Sequence, residues 1–211
     1  MCSSDLAAQL ACFAVLMRAR EDDRRLFSRD DLALNIMSIV ETKGIDKDKL
    51  LDAVSKRDGG KGVWVRIKQL VELFEDAKTF GSLITIPTEL ANELKDIKSV
   101  IESNQFGNND IFNYIAGTEL QSLRPVVRQA LILAKKYDCV VTNPPYLGSN
   151  NFNSTLKIGL KLNFKVTRTD LYAIFLERSI AFLINNCYLS MITMQSRSEE
   201  RRVGKECRSR W

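Results

Sequence analysis

Histidine is absent from the 211 residues. Without imidazole the chain cannot build a Ser-His or Cys-His nucleophile pair, and it lacks the commonest nitrogen ligand for zinc. No apolar run approaches the roughly 18 residues of a membrane span. Cys-x-x-Cys and other metal-ligand spacings are missing as well. Cys12, Cys139 and Cys187 stand singly among apolar neighbours and read as reduced core thiols of a cytoplasmic protein. The sequence contains no internal repeat, no low-complexity tract and no convincing signal-peptide cleavage site after the first helical pattern. What remains is the composition of one soluble domain, 45% hydrophobic with a net charge of +5. Proline is scarce, with four in all, and two of the four are adjacent, at 144 and 145.

That pair lies in Asn143-Pro144-Pro145-Tyr146, directly after the apolar run Cys139-Val140-Val141-Thr142, which predicts a buried strand. Asn143 offers a side-chain carbonyl, and Pro144 keeps its backbone C=O while lacking an N–H. Consecutive prolines fix φ and bias the preceding residue away from helix, so both oxygens are aimed in advance. Two acceptors converging on one exocyclic amine, such as adenine N6, would hold its N–H bonds in a more tetrahedral arrangement and free the lone pair. Tyr146 supplies a flat face on which a base can stack, an interaction worth roughly 1–3 kcal/mol. This chemistry is mostly positioning and needs no histidine. Asn-Pro alone is a common turn starter. The order Asn-Pro-Pro-aromatic, the strand before it and the Gly- and Asn-rich loop after it favour a site, because ligands of open α/β sheets bind beyond the carboxyl ends of strands.

The chain ends read differently. Residues 197–211 hold six basic and three acidic side chains without apolar periodicity. Back-translated, they reproduce the read-through of a sequencing adapter that opens AGATCGGAAGAGC, and residues 1–6 reproduce its reverse complement. Both ends are therefore expected to be non-native, leaving 7–196 as a partial catalytic domain; the alternative for the tail is a basic nucleic-acid-binding extension. Removing six basic and four acidic side chains leaves 25 against 22, about +3, so basicity argues only weakly for DNA.

Along the chain, Ala7 to Ala19 has the spacing of an amphipathic helix and runs into the charge cluster from Arg20 to Arg25. Asp30 to Val40 suits a strand or a short helix. Lys47 to Ser55 and Val63 to Lys78 predict helices separated by Arg57-Asp58-Gly59-Gly60-Lys61-Gly62, a turn that lacks the order of a phosphate loop and has no strand before it. Leu83 to Ile86 predicts a strand or an extended connector. Thr88 to Glu102 predicts a helix, Asn104 to Asp110 a loop, and Leu120 to Lys136 a helix broken near Pro125. Gly148 to Ser154 reads as a loop able to close over a substrate. Asn153 to Val166 is partly helical and carries Lys157, Lys161 and Lys165 at i, i+4 spacing, a solvated face or a phosphate contact. Asp170 to Leu183 predicts an amphipathic helix and Tyr188 to Thr193 a buried strand. Together with the strand at 139–142 this makes an α/β crossover, the unit of a parallel sheet.

Three segments carry a family resemblance: Tyr137 to Tyr146, Asp170-Leu171-Tyr172-Ala173-Ile174-Phe175-Leu176-Glu177-Arg178, and Tyr188-Leu189-Ser190-Met191-Ile192-Thr193-Met194-Gln195-Ser196. They resemble adenine-specific DNA methyltransferases, nearest to the PglX-type enzymes of bacterial BREX phage-defence systems. Ala7 to Ala11 and Phe74 to Leu83 extend the resemblance over most of residues 7–196. It implies a partial Rossmann-like α/β sheet with helical insertions, S-adenosylmethionine as methyl donor, and a flipped adenine of DNA as acceptor. It also implies other phage-defence proteins as partners, and neither a metal nor a membrane. Carried onto this chain, Asn143 and Pro144 hold the amine, Pro145 fixes the loop and Tyr146 stacks on the base. Asp170 helps line the pocket. Asp76 is an acidic cofactor contact or a solvated helix position. The family's glycine-rich cofactor loop and target-recognition region are expected outside 7–196, so this segment alone is expected to be inactive and to bind no S-adenosylmethionine.

Two other readings compete. Asn-Pro-Pro-Tyr also resembles the motif of glutamine methyltransferases that act on release factors, since planar amides and planar bases present similar nitrogens. A non-catalytic DNA-binding defence subunit is the third.

Overall fold

A computed structural model describes residues 3–29, 32, 34–48, 50, 61–102, 120–145, 152–164, 167 and 170–192. The chain divides into two compact units, residues 1–134 and 135–211. The expected turn at 57–60, the loop at 104–110 and both adapter-like termini lie outside the described residues, apart from the helical start at Ser3.

The first unit is helical. Helix α1 (Ser3–Asp22) is longer than the periodicity predicts, because the charged residues after Ala19 continue it. Its apolar stripe does not become core: Leu6, Leu10 and Phe13 are about 60% exposed. Helix α2 (Lys61–Leu73) opens at Lys61 and Gly62, two residues assigned to the preceding turn by sequence. The helix expected to run on to Lys78 instead stops after Leu73 and resumes as the single turn α3 (Ala77–Phe80). Thr42 explains the break. Its hydroxyl donates to the Val71 carbonyl at 2.5 Å and its N–H to the Phe74 carbonyl at 3.1 Å. With Val71 O so engaged, Glu75 N–H turns to Glu72 O and the helix tightens toward i→i+3 bonding. Gly81 ends α3 at φ 56, ψ −130, a conformation that suits glycine.

Helix α4 (Thr88–Glu102) has the predicted bounds, and Leu90, Leu94, Ile97 and Ile101 bury one face at i, i+4, i+7 and i+11. Helix α5 (Arg124–Ala134) begins after a break at Leu123, with Pro125 in its first turn where a missing N–H costs nothing. The core joins Ile67, Leu70 and Phe74 to Leu90, Leu94, Leu120, Leu123 and Val126, all fully buried.

Residues 34–42 are neither strand nor helix, contrary to expectation. Their backbone is satisfied by side chains from far along the sequence. Gln129, 2% exposed, accepts from Val40 N–H at 3.2 Å and donates to Ser38 C=O at 2.6 Å, while Arg128 donates to Leu34 C=O. Replacing Gln129 with Leu would strip both partners from a part-buried backbone. We expect a loss of about 1–3 kcal/mol, read as a lower urea midpoint at unchanged slope; a midpoint within error of the parent would refute the clamp.

The second unit contains strand β1 (Tyr137–Thr142), helix α6 (Ser154–Asn163), helix α7 (Leu171–Ala181) and strand β2 (Leu183–Met191). β1 and β2 pair in parallel, as the crossover pattern requires. Tyr137 faces Leu183 and Cys139 faces Tyr188, so β2 carries extra residues between the two pairs, where Asn186 takes a φ of 64. Asn tolerates this left-handed conformation better than most residues. Regular pairing starts only at Tyr188, which is where the sequence pattern places the strand.

The strands are not buried as predicted. Cys139, Val141, Tyr188 and Ser190 form one exposed face, with Val141 and Tyr188 each 75% exposed. Val140, Thr142, Leu189 and Met191 form the half-buried opposite face. Parallel sheets are ordinarily covered on both sides, and the continuous apolar run encodes that expectation; among the described residues only one side is partly covered. Cys139 is accordingly exposed rather than a core thiol, and Cys12 and Cys187 are intermediate.

Candidate active site

The motif occupies the carboxyl end of β1, and the strand is fixed at both ends. At its start, Tyr137 N–H donates to Phe182 C=O at 2.8 Å, and the Tyr137 ring meets the Phe182 ring edge-on at 6.2 Å. Lys136 reaches the carbonyl of Ala181. Arg178, 6% exposed, places its guanidinium over the Phe182 ring, 4.0 Å from its centre. Burial lowers the Arg178 pKa to about 10, so it remains cationic at neutral pH. The same anchor raises the Tyr137 pKa by desolvation. At the far end, Ile192 N–H donates to Thr142 C=O at 3.2 Å, extending the ladder to the residue before Asn143. Pro144 and Pro145 have no N–H to give, so pairing must stop there and the chain must leave the sheet.

Asn143 is exposed, Pro144 is buried and Pro145 is exposed. Burying the Pro144 ring immobilises the backbone that carries its carbonyl. Tyr146 and most of the following loop lie outside the described residues. The loop does have an apolar anchor that sequence reading missed: Phe152 is buried at 6% exposure.

Asp170 precedes α7 as its N-cap, its Oδ1 accepting from Tyr172 N–H at 3.1 Å. It shares the second unit with Asn143. Asp76 belongs to the first unit, where it precedes α3 and lies 4.0 Å from Lys43 with 40% of its side chain exposed. Arg178 was not anticipated. Its signal was a basic residue within an apolar helix face with an aromatic at i+4.

Among the described residues, no group of acidic or cysteine side chains could hold a metal ion, and no helix is long and apolar enough to cross a membrane.

A family model for the Eco57I restriction-modification methylase matches residues 1–209. An adenine-specific methyltransferase BrxX of Escherichia coli O9:H4 (strain HS) is 34% identical over 210 aligned residues, covering 91% of this chain and 17% of the relative. An adenine-specific methyltransferase PglX of Lacticaseibacillus casei (strain Zhang) is 28% identical over 187 residues, covering 89% of this chain and 15% of its own length. The chain thus spans about a sixth of the length of these relatives.

Proposed function

The chain belongs to the Eco57I restriction-modification methylase family, and from that premise we propose that it is the catalytic segment of a longer enzyme that methylates adenine N6 in DNA. The observation that carries the proposal is Asn143-Pro144 at the carboxyl end of a parallel strand, with Pro144 buried. In this reading Asn143 Oδ1 and the Pro144 carbonyl accept the two N–H bonds of the amine and draw its lone pair out of conjugation with the ring. Pro145 holds the turn. Tyr146 stacks on the base after it leaves the duplex, offsetting part of the few kcal/mol that extrusion costs. Asp170 acts by starting α7 at a fixed point beside the pocket.

Family membership implies S-adenosylmethionine as methyl donor, which supplies an electrophilic methyl group. Asp76 sits in solvent beside Lys43, and Asp170 uses one oxygen on its helix cap. No Gly-x-Gly-x-x-Gly order occurs anywhere in the sequence. We therefore assign the cofactor loop, the remaining strands of a Rossmann-like sheet and the target-recognition region to parts of the enzyme outside 7–196, and treat 1–6 and 197–211 as adapter-derived. The enzyme would act in the cytoplasm in phage defence, alongside other defence proteins.

The two relatives' names speak of adenine and not of protein, which favours DNA over a release-factor glutamine as acceptor. Incubating the longer enzyme with methyl-labelled S-adenosylmethionine, DNA and a release factor tests the choice. Label in DNA alone is expected; label in the protein alone would overturn the proposal.

A further inference from the structure

We propose that the exposed face of α6 bearing Lys157 and Lys161 seats the phosphodiester backbone of the strand whose base the motif holds; the proposal rests on the DNA reading above. α6 cannot turn this face inward. Asn153 caps it, its Oδ1 accepting from Leu156 N–H at 2.7 Å, and the buried Leu156 and Leu160 lie about 100° round the helix from the two lysines. Lys157 and Lys161 are then stacked one turn apart in solvent.

Their charge is not balanced locally. Elsewhere, Lys68 on α2 and Lys98 on α4 each have a glutamate at i+4, Glu72 at 4.0 Å and Glu102 at 3.8 Å. On α6 the i+4 neighbour of Lys157 is another lysine, an arrangement that slightly destabilises a helix. No ion pair among the described residues engages either ammonium. Nor does the surrounding sequence: residues 139–169 contain four basic side chains and no acid, the longest acid-free stretch in the chain. A polyanion is the ligand that such a face complements.

Distance along the chain limits how far the start of α6 can lie from the motif. Eight residue steps separate Pro145 from Asn153, which at about 3.6 Å each limits their separation to roughly 29 Å. That corresponds to at most about eight nucleotides of one DNA strand between the motif and the start of α6. Ile158 and Leu162, 62% and 71% exposed beside the lysines, offer apolar contact to sugars.

The test is fluorescence anisotropy of the 211-residue chain with a labelled DNA duplex containing one unpaired adenine, titrated at several NaCl concentrations. Two lost phosphate contacts should lower the magnitude of the log K against log salt slope by about 1.8 in K157Q/K161Q, so that binding weakens roughly tenfold less between 50 and 200 mM salt than it does in the parent. K157R/K161R should keep the parent slope. K95Q/K98Q on α4 removes the same charge elsewhere and should also keep it. Far-ultraviolet circular dichroism confirms that each variant is folded. Equal changes in both Gln pairs, an unchanged slope in K157Q/K161Q, no DNA binding by the parent chain, or tighter binding of poly-glutamate than of DNA would each overturn the assignment. Failure of the methyl-transfer reading would appear separately, as label in the release factor instead of DNA in the acceptor assay.

Discussion

Asn143→Ala in the longer enzyme is expected to lower the rate of methyl transfer by about 10²–10³-fold, the cost of deleting one preorganised polar partner of a reacting group. Strand β1 is held at Tyr137 by Phe182 and at Thr142 by Ile192, so Asn143 leaves the sheet from a fixed point. Truncating it removes one of two acceptors while the ladder bonds of Tyr137 and Thr142 are main-chain and remain, and circular dichroism of the variant checks that it is folded. Its partner acceptor is a main-chain carbonyl that no substitution deletes, which is why residual activity should survive. The decrease should fall on kcat more than on KM, because the second acceptor and the stacked base still bind. A variant with unimpaired turnover would show that Asn143 does not hold the amine and would favour the non-catalytic reading of this chain.

The largest effect on stability is expected at Phe74. Its side chain is fully buried, among the largest so placed, in the core of the first unit. Phe74→Ala should cost about 3–5 kcal/mol through lost transfer energy and the cavity left behind. Against a typical total of roughly 5–15 kcal/mol this is a large fraction of the whole. The consequence should extend beyond packing, since Phe74 also ends α2 and its carbonyl receives Thr42 N–H. Denaturant unfolding followed by circular dichroism measures it. A loss below about 1 kcal/mol would mean that α2 and α4 are held by something other than this core.

Where local chemistry decided the outcome, the sequence was sufficient. Thr88 to Glu102 has both its start after Pro87 and its apolar face written into neighbouring residues, and it forms as predicted. The parallel pairing of β1 and β2 followed from strand, helix and strand in succession. Two of the misreadings involve partners distant in sequence. The break after Leu73 comes from a threonine 29 residues before its bonded carbonyl, and the extended path of 34–42 depends on Gln129, 89 residues from Val40. Neither bond leaves a local pattern. Tyr188 and Val141 were read as buried because continuous apolar strands ordinarily are, and in this chain they face outward. At the site, the position of Asn143, Pro144 and Pro145 at the end of a strand was legible because the apolar run and the two prolines are consecutive. Arg178 was not, since its role depends on Phe182 and on the burial of α7.

The most direct test of the account is mass spectrometry of nucleosides from DNA incubated with the longer enzyme and S-adenosylmethionine. N6-methyladenine formed by the parent and reduced at least a hundredfold by Asn143→Ala is the predicted result. N4-methylcytosine as the product, or N6-methyladenine at undiminished yield from the variant under initial-rate conditions, would contradict it.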